Sequence, residues 1–202
     1  IKLSIFNRSK NNAPITILPT LWMRNLWSYG LTDKKPNIEL NEQNTTVGEL
    51  KITDSQLGKY YFYFENTATV LFTENETNTE RLYNAANETA FVKDAFHTAV
   101  INNDFELFNN KKSGTKCSPV FSFNIEPESS VIIKLRLSKQ SLHDPLAKNY
   151  DDTFANRIAE ADDFYTHLIK SKNEDLRNIQ RQAYAGMLWN KQFYHIDILR
   201  WL

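Results

Sequence analysis

Apolar and polar residues alternate from the first position. Ile1, Leu3 and Ile5 are separated by Lys2 and Ser4, and the polar residues 7–12 follow as a turn. The β-branched run Ile15-Thr16-Ile17-Leu18 sits between Pro14 and Pro19, which predicts a strand edge or a bulge. Further strands are predicted at 46–52, 60–65, 69–73, 120–125 and 131–137, with hairpin connections at 54–58 and 65–67. Many short strands with no helix between them predict antiparallel sheets packed as a sandwich. Residues 75–94 lack a clear period and read as a long ordered loop with room for a helical turn.

The period changes after residue 150. Phe154, Ile158, Ala161, Phe164/Tyr165 and Leu168/Ile169 recur at three- and four-residue steps, the apolar stripe of a helix. Asp151 and Asp152 complement the dipole at its start, and Lys170 and Lys172 stand at its end. Asn173-Glu174-Asp175 can cap a second helix whose inward face carries Leu176, Ile179, Ala183, Met187 and Leu188. An amphipathic pattern continues from Arg181 through His195, and the chain stops at Trp201-Leu202. The domains expected are therefore a partial antiparallel β-sandwich over 1–140, a linker with Pro145 over 141–150, and the first helices of an incomplete helical domain over 151–202. With no initiator Met and two helices that cannot close a core by themselves, the chain is expected to be a piece of something longer. Met187, Leu188, Trp201 and Leu202 should then form an exposed apolar patch.

Charge narrows the partners. Lys plus Arg is 24 and Asp plus Glu is 24, so no basic field exists to attract nucleic acid or an anionic membrane. A single cysteine, Cys117, excludes an internal disulfide and a cysteine-based zinc site. No apolar run approaches the roughly 20 residues of a membrane helix. Sequons at Asn7, Asn44, Asn75 and Asn87 read as chance matches in so Asn-rich a chain. A cytoplasmic protein is expected, with no cofactor and no metal.

Several blocks, in order, carry a resemblance. Leu18-Pro19-Thr20-Leu21-Trp22-Met23-Arg24-Asn25-Leu26-Trp27-Ser28-Tyr29-Gly30 resembles the Leu-Pro-Thr-Leu-Trp-Phe-Arg-Asn-Thr-Trp-Ser-Trp-Gly stretch of glycoside hydrolase family 63-like proteins, relatives of mannosyl-oligosaccharide glucosidase. Phe72-Thr73-Glu74-Asn75-Glu76-Thr77-Asn78 with Arg81-Leu82 is similar to the next block. Residues 92–97, 114–116, 135–138, 160–165 and 181–194 continue the likeness in order. The resemblance implies an N-terminal β-supersandwich followed by an (α/α)6 barrel that holds the active site. It also implies inverting hydrolysis by a carboxylic acid and a carboxylate roughly 6.5–9.5 Å apart. The family's acid and base segments have no counterpart here, so no catalytic residue carries over, and an oligosaccharide or glucoside would be met through the absent barrel.

The chain's own carboxylates offer no convincing pair for the same chemistry. Asp162 and Asp163 are adjacent on a helix and diverge. Glu74 and Glu76, at i and i+2, would stand about 7 Å apart in an extended strand, as any such pair would. Asp94 and His97 lack a neighbouring nucleophile, His195 and Asp197 are too few for a metal site, and the glycines form no phosphate loop. Candidate substrate-binding residues are Trp22, Arg24 and Trp27, with Tyr29 beside them, on an extended segment that could present several to one sugar face. The same residues could instead seal the sandwich against the helices. Lys191, Gln192 and Tyr194 are candidates at the end of the last helix, where capping is the alternative. The function expected is the non-catalytic β-domain portion of an inverting α-glucosidase-like hydrolase; the alternative is a carbohydrate-binding or interaction module.

Overall fold

The computed structural model describes all residues except 44–45, 66–68, 106–107, 109–110, 191–197 and 202. The chain divides into two compact units, Ile1–Ala147 and Lys148–Leu202. The first is built of antiparallel strands: β1 Lys2–Phe6, β2 Ala13–Ile17, β3 Leu21–Trp22, β4 Asn37–Gln43, β5 Val47–Asp54, β6 Gly58–Glu65, β7 Val70–Thr73, β8 Ser113–Gly114, β9 Lys116–Pro119, β10 Phe121–Ile125 and β11 Ser130–Ser138. Two short helices, α1 Thr79–Tyr83 and α2 Ala95–Ile101, lie between β7 and β8.

The largest sheet has the order β1-β11-β6-β5-β4-β8; β3-β9-β7 form a second and β10-β2 a third. The β5–β6 hairpin turns at Gly58, whose φ of 80° is a left-handed value. There Asp54 Oδ1 accepts from the amides of Gln56 and Leu57. Period two then decides what is buried. Ile38, Leu50, Ile52, Phe62, Phe64, Ile133 and Leu135 of the large sheet share one core with Phe72 and Cys117 of the second and Phe121 of the third. Sheets facing one another across a common core make this a sandwich. The preceding residue of β7, Leu71, faces a smaller core with Phe96, Ala99, Phe108 and Val120, so α2 covers the outer side of the second sheet. Gly48 pairs with Phe64, and a Cβ there would stand 2.2 Å from the ring's Cζ. The glycine therefore gives the core ring its place.

One sequence expectation is corrected here. The sequence predicts a hairpin at 65–67, but β6 and β7 belong to different sheets. Both edges of β6 are already occupied, by β5 and by β11, so β7 has no edge of β6 to join. The aperiodic stretch 75–94 contains α1, which the sequence reading allowed only as a turn.

The second unit holds α3 Lys148–Leu168, α4 Glu174–Trp189 and α5 Ile198–Trp201. α3 takes in 148–150, residues the sequence reading gave to a linker. Asn173 Oδ1 accepts the Leu176 amide at 3.0 Å, the N-cap that the Asn-Glu-Asp run foretold. Arg181 of α4 joins α3 by an ion pair to Asp162 and by lying 5.0 Å over the Tyr165 ring. The apolar positions gain little cover in this chain: Leu176, Ile179, Met187, Leu188 and Trp189 are all exposed. The side chains of Trp201 and Leu202 lie outside the described residues. No helix among those described is long and apolar enough to cross a membrane.

Candidate functional site

The segment that leaves β3 is fixed by amide side chains. Asn75 Nδ2 donates to the Met23 carbonyl at 2.8 Å, and Asn25 Nδ2 donates to the Asn75 carbonyl at 3.0 Å. Asn25 Oδ1 accepts the Ser28 amide and starts a 3₁₀ turn, Trp27–Tyr29. Gly30, at φ 65°, closes the turn with a bond from its amide to the Trp27 carbonyl. This turn delivers Trp27 to the loop after β7. Its indole Nε1–H donates to Glu76 Oε1 at 2.6 Å, and Lys35 Nζ donates to the same oxygen at 2.7 Å.

Glu76 is only 7% exposed, and its charge is set by these neighbours. Burial alone works against ionisation. The hydrogen bonds from Lys35 and Trp27 and the charges of Lys35 and Lys111 outweigh it, holding the carboxyl below its ordinary value. Lys35 is held above its own, mainly by the bond to Glu76. The pair is therefore charged on both sides at neutral pH, and Glu76 is unsuited to donate a proton.

Glu74 has different company. It accepts from Thr115 Oγ1 at 2.9 Å and faces Lys111 Nζ at 3.2 Å. The two carboxylates that a strand would have set side by side are thus each neutralised by a separate cation, because the chain leaves strand geometry after Thr73. Asp94 is taken up by Asn78 and Arg81. Among the described residues no group of three His, Cys, Asp or Glu could hold a metal ion. Burial pushes the Cys117 thiol up, which removes it as a nucleophile.

The candidate binding residues are dispersed. Trp22 stands on β3 opposite Lys116 and is 57% exposed, and Arg24 is exposed. The 3₁₀ turn then takes Trp27 out of the strand register, and its indole is committed to Glu76. An extended face presenting Trp22, Arg24 and Trp27 together does not form. Lys191, Gln192 and Tyr194 lie outside the described residues, as do His195 and Asp197.

What sequence reasoning missed is the cleft beside Glu76. It measures about 500 Å³, and its lining includes Asn25, Tyr29, Glu76, Tyr83, Asn87 and Glu88. α1 brings Tyr83 there and is held at both ends. Asn78 Oδ1 accepts the Arg81 amide, Asn84 closes the helix in the left-handed region, and Asn87 Oδ1 accepts from the Thr79 amide and hydroxyl. The Asn-Glu-Thr-Asn run and its echo at Asn87-Glu88-Thr89 were a signal for such amide clamps.

The chain is similar to "Uncharacterized protein YMR196W" of Saccharomyces cerevisiae, with 29% identity over 234 aligned residues. That match takes in 99% of this chain but 22% of the relative, so the chain spans less than a quarter of the protein it resembles. No protein-family model matches the chain, and no solved structure does.

Proposed function

We propose that the chain is the non-catalytic β-domain portion, with the first helices, of an inverting α-glucosidase-like hydrolase related to glycoside hydrolase family 63. One observation carries the reading. Two blocks of the resemblance, 18–30 and 72–78, are distant in sequence but are bonded to each other, through Trp27 to Glu76, Asn25 to Asn75 and Asn75 to Met23. Blocks that hold one another in place are what a shared fold requires, whereas chance likeness has no reason to converge. A sandwich followed by helices with open apolar faces supports it further. In this reading the unit supports a barrel, and the reacting acid and base belong to that barrel.

The test compares two polypeptides, the 202-residue chain and the longer protein that contains it, on α-linked gluco-oligosaccharides. The longer protein is expected to release β-glucose first, as inversion requires, while the chain alone turns nothing over. Release of α-glucose, inactivity of the longer protein, or turnover by the chain alone would each overturn the assignment.

A further inference from the structure

The support role leaves the cleft between the Trp27 turn and α1 without a task, although the cleft is built with some care. Its volume of about 500 Å³ lies within the ~300–1,000 Å³ of small-molecule sites. Two large rings stand at it, Tyr29 at 77% exposure and Tyr83 at 71%. Singly exposed aromatics are common on proteins, but two converging on one concavity, each mounted on a clamped turn, are not explained by chance exposure. Tyr29 ends a 3₁₀ turn held by Asn25 and Gly30, and Tyr83 ends a helix strapped by Asn78 and Asn87. Both rings are therefore presented with their backbone ordering already complete, which lowers the entropy lost on binding.

Charge then selects the ligand class. The two carboxylates of the lining, Glu76 and Glu88, both have Lys35 beside them, at 2.7 and 3.5 Å, and a second cation, Lys93, donates from Nζ to the Thr77 hydroxyl on the cleft wall at 3.0 Å. A balanced field holds neither an anion nor a cation well. What remains is hydrogen-bonding capacity. Both bonds to Glu76 fall on Oε1, which leaves Oε2 to accept, and the Glu88 side chain is 78% exposed with Lys35 at 3.5 Å. Ionised carboxylates beside flat apolar rings suit a molecule with hydroxyls at its edge and C–H groups on its faces.

We infer that this cleft binds a neutral saccharide, with Tyr29 and Tyr83 as stacking faces and the carboxylates of Glu76 and Glu88 as hydroxyl acceptors. The choice of gluco-configured probes rests on the function proposed above; the preference for a neutral polyhydroxy ring rests on the cleft itself.

The experiment titrates the 202-residue chain with maltotriose, cellotriose and mannotriose by calorimetry, with choline chloride as the cationic rival. At least one trisaccharide should bind saturably and more tightly than choline. Tyr29→Ala and Tyr83→Ala, both at exposed positions and checked for an unchanged melting temperature, should each weaken it about tenfold, the loss of one stacking face. Trp22→Ala, on β3, should leave it unchanged. The inference is overturned if no trisaccharide binds, if choline binds more tightly, if neither tyrosine matters, or if Trp22→Ala weakens binding as much as they do. Hydrolysis by the longer protein without binding by the chain sinks the cleft alone; binding without hydrolysis sinks the proposed function alone.

Discussion

The bond from Trp27 to Glu76 joins two segments 49 residues apart and can be tested by substituting phenylalanine for the tryptophan. Trp27→Phe keeps an aromatic ring in the turn and removes the indole N–H. A hydrogen bond to a charged acceptor contributes about 1.5–3 kcal/mol. Lys35 stays 2.7 Å from the same oxygen, and its side chain is 43% exposed, so water can partly replace the lost donor. That places the loss in the lower half of the range. The smaller ring forfeits about 0.5 kcal/mol of burial, since Trp27 is only half-buried. The sum is about 2 kcal/mol, or roughly a thirtyfold shift in the unfolding equilibrium of the first unit. Because the chain has two compact units, a single bulk transition is a poor measure. Native-state hydrogen exchange at the amides of β5 and β6 reads the first unit directly. Pairing the change with Glu76→Ala in a double-mutant cycle isolates the contact, and a coupling of about 1–1.5 kcal/mol is expected. Additivity of the two substitutions within about 0.5 kcal/mol would show that the bond contributes nothing and that the loops are held by their amides alone.

The same contacts set the response to pH and to other substitutions. The Glu76 carboxyl is depressed in the folded chain, so its contribution is complete above the unfolded value of about 4.3 and is lost as pH falls through the folded one; the stability gap between the native chain and Glu76→Gln, followed by urea unfolding, should narrow below about pH 4 and stay constant between pH 6 and 8. Gly48→Ala drives a methyl into the Phe64 ring and should destabilise the first unit by about 3 kcal/mol or block folding, whereas Gly186→Ala, inside α4 with open space around it, should stabilise that helix by about 0.5–1 kcal/mol; circular dichroism melts of the two variants moving the same way would refute this. Cys117, fully buried, should react with a thiol reagent only as fast as the first unit opens, and rapid labelling at pH 8 would contradict its place between the sheets.

Strands were legible where local pattern and tertiary demand coincide. β5, β6, β7 and β11 lie within two residues of the stretches their β-branched and aromatic content marked out. β9 was not, because Lys-Cys-Ser-Pro has no strand signal of its own and is held by β3 and β7 on either side. The error at 65–67 has the same origin. A turn can be read locally, but whether the next strand pairs with the last depends on which edges are free, and β11, some 70 residues away, had taken that one.

The site shows the limit more sharply. Trp27 stands out in the sequence, yet there it lies close behind Trp22 and Arg24 and invites a single sugar-facing surface. The run that breaks the line is Asn25 to Gly30, since an amide that caps the Ser28 backbone and a glycine in the left-handed region force a turn where alternation suggests a strand. Once turned, the indole meets a carboxylate nearly 50 residues further on, and that carboxylate is fixed as a base too weak and too well paired to serve as an acid. Glu74 and Glu76 then cease to be a catalytic pair for a reason of charge more than of distance. Each has its own lysine, and the donors on Glu76 hold that carboxyl ionised. Of the two, Glu76 alone lines the cleft with Tyr29 and Tyr83, and its ionised carboxylate is suited to accept a hydrogen bond and not to donate a proton.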